Sequence, residues 1–136
     1  MLKTILLVGS GGFIGSVTRY YMSKFIQNST FTSFPTGTLF VNILGSLILG
    51  FLVGLAIKHP SFSLEWRLAL MVGFCGGFTT FSTFTSENLK LIQDGQFLYV
   101  LTYTGLSIFL GFTAVYLGYL ISKAFLRWIL PQNRVC

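Results

Sequence analysis

From Thr36 to Ile57 no residue carries a charge. A membrane-spanning helix needs roughly 20 mostly apolar residues, and this stretch satisfies that by itself. The rest of the chain follows suit. Nine Lys or Arg and three Asp or Glu are all the charge in 136 residues, or 9%, where a soluble domain typically has about 25%. So few charges cannot cover the surface of a small water-soluble globule. The chain reads as one membrane domain, residues 1–136, seated in a lipid bilayer. One His, three acids and two Cys also leave little for acid–base or metal-ligand chemistry, so an enzyme is not expected. Cys75 and Cys136 show no metal or disulfide spacing and read as free thiols.

The gaps between charges mark four apolar segments, at about 3–26, 36–57, 64–92 and 97–126. They are far longer than strands, so the expected fold is an all-α membrane protein with four transmembrane helices. The first segment starts with one Lys and runs on without a cleavage context, which favours a retained helix over a signal peptide. Residues 27–35 are rich in Asn, Ser, Thr and Pro and read as a loop. Small residues recur at four-residue spacing: Gly11 and Gly15, Ser46 and Gly50, Gly50 and Gly54, Gly73 and Gly77, Ser107 and Gly111. Such pairs let helix backbones approach closely in lipid. With four crossings, Lys3, Lys58, Arg67, Lys123, Arg127 and Arg134 share one side, and Arg19, Lys24 and Lys90 share the other. The bias places the termini inside, but modestly. The basic residues are scattered singly, so they read as helix-end anchors, and no nucleic-acid partner is expected. His59, beside Pro60 in a loop, is given no role.

Gly9, Gly12 and Gly15 imitate a dinucleotide-binding glycine turn. That motif needs a βαβ unit and an acid about 20 residues on. No acid precedes Glu65, and the reading is discarded.

The third segment holds Gly73-Phe74-Cys75-Gly76-Gly77-Phe78-Thr79-Thr80-Phe81-Ser82-Thr83-Phe84. Three Gly and three Thr in twelve residues are poor helix formers, and a break at the centre of this helix is expected. Broken backbone at membrane depth survives only inside protein or beside a polar cavity. Freed carbonyls there suit a hard cation such as Na⁺, and freed N–H groups suit an anion. A kinked helix without an ion is the plainer reading. Phe78, Phe81 and Phe84 share a face. They serve packing, or present positive ring edges to a small anion. Thr38, Asn42 and Ser46 form a polar line on the second segment, and Tyr103 and Ser107 continue the pattern on the fourth. Asn42 either bonds a neighbouring helix or offers its N–H₂ to an anion. Glu87 and Lys90 read as a boundary ion pair, and Arg19 as an interfacial anchor or a lure at a pore mouth.

These residues resemble the fluoride channel family known as Fluc or CrcB. The resemblance rests on Gly11-Gly12-Phe13-Ile14-Gly15 with Arg19-Tyr20, on Gly37-Thr38-Leu39-Phe40-Val41-Asn42 with Gly45-Ser46, and above all on residues 73–84 with Glu87. It implies an antiparallel, dual-topology homodimer of four-helix subunits, in the bacterial plasma membrane, with two pores. It implies passive export of fluoride and a structural Na⁺ at the dimer centre, held by carbonyls of Gly76 and Thr79. It maps the pore phenylalanines onto Phe81 and Phe84 and the pore amide onto Asn42. It maps a polar track onto Thr80, Ser82, Thr83, Tyr103 and Ser107. Arg19, Thr38 and Glu87 are candidates for the pore mouth or for structure. Phe78 is not placed in the pore. Two other readings compete. A small four-helix multidrug exporter needs an embedded carboxylate in the first helix, and none is there. A non-transporting membrane subunit would use the polar lines only as helix glue.

Overall fold

The computed structural model describes residues 1–30, 32–58 and 62–129. His59, Arg134 and Cys136 lie outside the described residues. Helix α1 (Leu2–Ser29) stops where Thr30 turns extended at φ −113°, ψ 91°. Gln27 then organises the connection to the next helix. Its Nε2 donates to the Thr32 and Phe34 carbonyls, each at 3.1 Å, and its Oε1 accepts from Gly37 N at 3.2 Å. One amide thus satisfies loop carbonyls that would otherwise lack partners.

Helix α2 (Thr36–Lys58) packs against the long last helix, α6 (Phe97–Ile129). Glycines allow the approach. A Cβ on Gly118 would lie 2.8 Å from Phe51 N, and one on Gly54 would meet the fully buried Ser122. Between them the chain passes through a composite segment. It runs through α3 (Leu64–Arg67), a π-helix (Leu68–Cys75), α4 (Gly76–Phe78) and α5 (Phe81–Gln93). Ser63 caps α3 by accepting Trp66 N at 3.4 Å. Arg67 ties α3 to α2, donating from Nη2 to Ala56 O at 2.7 Å and from Nε to Phe62 O at 3.0 Å. At Asp94 the chain reverses. Gly95 takes φ +70°, a left-handed conformation that Gly adopts without a Cβ clash. Gln96 N closes the turn on Leu91 O at 2.8 Å.

Thr79 (φ −91°, ψ 155°) and Thr80 (φ −149°, ψ 123°) are extended between α4 and α5. The π-helix just before them has no counterpart in the sequence pattern. It faces α1: the Ala69 carbonyl and Phe74 amide, five residues apart, lie against Gly11. Residues five apart are hydrogen-bond partners in a π-helix.

Among the described residues there is no strand. Three segments of the described residues are long and apolar enough to cross a membrane: Thr36–Ile57, Leu64–Gln93 and Phe97–Ile129. Helix α1, 28 residues long, carries Lys3, Arg19 and Lys24. The largest fully buried side chains are Val41 of α2, Cys75 of the π-helix, Phe78 of α4, and Tyr103 and Ser122 of α6, and the polar Thr38 of α2 is buried as well. Phe13, Phe81, Phe109 and Phe112 are each exposed by about 70% or more on the protomer. Water would penalise such a surface, whereas lipid tails do not.

Candidate functional site: a neutral groove at the helix interruption

The extended pair Thr79–Thr80 is held from across the fold. Asn42 Oδ1 accepts Thr80 N–H at 2.8 Å, and Asn42 Nδ2 donates to Thr80 O at 3.1 Å. This reciprocal pair fixes which way the amide points, because only Nδ2 can donate. Asn42 therefore bonds the neighbouring segment, and its second Nδ2 hydrogen remains available. Thr80 also caps α5: its Oγ1 accepts Thr83 N–H at 3.2 Å and donates to Thr83 Oγ1 at 3.1 Å. A Thr N-cap contributes about 1 kcal/mol.

These bonds divert N–H groups from the helical ladder. An unbroken helix would send Thr80 N–H to the Gly76 carbonyl and Thr83 N–H to the Thr79 carbonyl. Neither carbonyl accepts a hydrogen bond among the described residues. The Gly77 carbonyl, by contrast, accepts from Arg19 Nε at 3.2 Å and Ser16 Oγ at 3.5 Å. Arg19 is thus bound to backbone at the interruption.

A groove of about 290 Å³ opens beside the pair, lined by Asn42, Ser46, Leu49, Thr79, Thr80, Phe81, Phe84, Ser107 and Ile108. No lining side chain is charged. Ser107 Oγ is buried and lacks a partner among the described residues, so its hydroxyl is free to turn to a guest. The Phe81 and Phe84 rings are 5.7 Å apart at 34°. Phe84 touches Tyr103 at 4.9 Å, and Tyr103 meets Phe34 edge-on at 5.6 Å.

A second, wider cavity of about 660 Å³ adjoins α1, α2 and α5. Arg19, Lys24, Lys90, Glu87, Asp94, Thr38 and Thr83 are among its lining residues. Glu87 does not pair with Lys90, as the sequence led one to expect. Its Oε1 accepts from Thr38 Oγ1 and its Oε2 from Tyr103 OH, both at 2.7 Å. Two nearly fully buried hydroxyls draw it inward, and a Lys at the boundary offers no such enclosure. The one ion pair among the described residues joins Lys3 to Glu65.

The candidates therefore divide. Asn42, Thr79, Thr80, Phe81, Phe84 and Ser107 meet at the groove. Thr38, Thr83, Glu87 and Arg19 line the wider cavity. Tyr103 is buried behind both, bonded to Glu87. Ser82 is exposed and lines neither, although its Oγ is 3.3 Å from Thr80 Oγ1. Gly76 is exposed, and a Cβ there would have no neighbour within 4 Å. Ser46, on the polar line of the second segment, joins the groove as well; its place one turn beyond Asn42 is the sequence signal for it. Leu49 and Ile108, also groove-lining, carry no sequence signal that separates them from ordinary packing residues.

Apolar helices around a neutral polar groove and an interrupted helix define a small, multi-pass cell-membrane protein of the transport class. Residues 6–119 match the family model described as CrcB-like protein, Camphor Resistance (CrcB). A protein of Azobacteroides pseudotrichonymphae genomovar. CFP2, named fluoride-specific ion channel FluC, is 44% identical over 125 residues, covering 92% of this chain and 100% of its own. Proteins with the same name from Chlorobium chlorochromatii (strain CaD3) and Pyrococcus abyssi (strain GE5 / Orsay) are 45% and 40% identical. They cover 88% and 90% of this chain, and 92% and 98% of their own lengths. The chain belongs to the CrcB family, a family of ion channels and not of enzymes.

Proposed function

We propose that this protein conducts fluoride passively across the cell membrane and so relieves fluoride toxicity. The carrying observation is the groove, whose lining is neutral but rich in donors and ring edges. Fluoride is small and holds its water tightly. A pore for it must replace that water with several weak donors, while a full positive charge would hold the ion too long to conduct. Asn42 has an N–H to spare, Ser107 an unpartnered hydroxyl, and Phe81 and Phe84 have positive ring edges. The relatives' names point to the same ion.

Ion entry follows from the charges. Around the wider cavity Arg19, Lys24 and Lys90 outnumber Glu87 and Asp94, and the excess positive charge raises local anion concentration. Thr83 and Thr80, linked by a hydrogen bond, lead from that cavity towards the groove. Thr38, Glu87 and Tyr103 brace the passage, and Ser82 extends the hydroxyl track. The membrane potential drives the anion outward after hydrogen fluoride has entered and dissociated in the cytoplasm.

The assembly we propose is an antiparallel, dual-topology homodimer with two pores, in which α1 is the first of four crossings in each subunit. A structural Na⁺ would bind the carbonyls of Gly76 and Thr79 from both subunits. The chain fits that role: among the described residues both carbonyls lack hydrogen-bond donors, and hard oxygen ligands suit a hard cation. When bound, the ion supplies positive charge that satisfies carbonyls otherwise costly in a membrane interior.

Efflux from liposomes loaded with potassium fluoride, compared with potassium chloride, tests the reading. Fast fluoride efflux with chloride retained is expected. Equal retention of both ions would refute it.

A further inference from the structure

Asn42 lines the groove, yet its strongest contacts go to backbone. One side chain holds both polar groups of Thr80, the N–H at 2.8 Å and the carbonyl at 3.1 Å. A second capture follows one turn on, where Thr80 Oγ1 takes Thr83 N–H at 3.2 Å. The two captured N–H groups are the ones that continuous helix would give to the Gly76 and Thr79 carbonyls. Those same two carbonyls are left without donors among the described residues. Of the four ladder bonds that the extended Thr79–Thr80 pair removes, these two N–H groups are thus the ones that side chains take over.

We infer that Asn42 and Thr80 are positioning residues for the bound cation: by capturing two N–H groups they keep the Gly76 and Thr79 carbonyls free to ligate it. This rests on the cation reading proposed above and adds what builds the site. The pore-lining amide and the cation site then form one unit. In Asn42 the operative atom is the acceptor Oδ1, since it intercepts the N–H. The donor Nδ2 serves the groove and the Thr80 carbonyl.

The test is Na⁺-dependent melting of the purified full-length protein in detergent. Sodium chloride is exchanged for N-methyl-D-glucamine chloride at constant ionic strength. The wild type is expected to gain Tm with Na⁺, which defines a midpoint concentration. Asn42→Leu removes the first capture. Thr80→Val, nearly the same shape, removes the second. Each should raise the Na⁺ midpoint about tenfold or more, because a competing N–H must be displaced before the ion binds. Asn42→Asp keeps an acceptor for Thr80 N–H but gives up the donor to the Thr80 carbonyl. Its midpoint should lie below that of Asn42→Leu, and that of Thr113→Ala on α6 should stay within about threefold of wild type. Unchanged midpoints in folded Asn42→Leu and Thr80→Val would overturn the inference while leaving the cation reading standing. A loss in Asn42→Asp equal to that in Asn42→Leu would overturn the role of Oδ1. A wild type indifferent to Na⁺ would remove the cation site, and the inference with it. Should Asn42→Leu not yield a monodisperse protein, Thr80→Val decides the matter.

Discussion

Glu87→Leu should destabilise the protein strongly through hydroxyls that lie on other helices. Thr38 is 2% exposed and Tyr103 fully buried, and each donates to a separate oxygen of Glu87 at 2.7 Å. Leucine removes both acceptors and strands two buried donors. Each stranded group costs about 1–3 kcal/mol, so the substitution should cost about 2–6 kcal/mol. Glu87→Gln keeps one acceptor oxygen and should lose about half as much. Replacing all three partners, as Glu87→Leu with Thr38→Val and Tyr103→Phe, removes donors and acceptors together and should return to within about 1 kcal/mol of wild type. Unfolding by sodium dodecyl sulfate in mixed micelles, followed by circular dichroism, measures these differences. A Glu87→Leu protein as stable as wild type would refute the reasoning. So would a triple variant no more stable than the single one.

Asn42→Asp sets a carboxylate beside the anion path. Two like charges about 4 Å apart repel by about 4 kcal/mol at an effective dielectric near 20, so fluoride flux should fall about 1,000-fold in the liposome assay. Phe81→Ile and Phe84→Ile keep bulk but lose the ring edge, worth about 0.5–1.5 kcal/mol, and each should slow fluoride about tenfold with assembly unchanged by size-exclusion chromatography. Gly15→Ala forces a Cβ to within 2.9 Å of Phe78 N and should cost about 1–3 kcal/mol in the same unfolding assay. Gly105→Ala, which has no neighbour within 4 Å in the protomer, should leave stability unchanged.

Charge spacing carried the class of this protein. A run such as Thr36–Ile57 leaves the backbone no partner but itself once it enters lipid, so helical, membrane-seated structure follows from the sequence alone. The Gly-Thr composition of residues 76–80 marked where the helix is weakest, because Gly and Thr are poor helix formers. Partnership was a different matter. Thr38, Asn42 and Ser46 read as one polar line, yet Thr38 bonds Glu87, Asn42 bonds Thr80, and Ser46 faces the groove. The π-helix at Leu68–Cys75 has no composition of its own, and it lies against Gly11 of a distant segment. Glu87 looked like a surface partner for Lys90 because sequence neighbours on a helix are the only ones sequence can show. Folding instead enclosed it with two hydroxyls from α2 and α6. Which residues are apolar, neutral or helix-breaking is a property of the chain. Which N–H finds which oxygen is decided by contacts across the fold, 38 residues apart for Asn42 and Thr80, and only the tertiary structure holds that information.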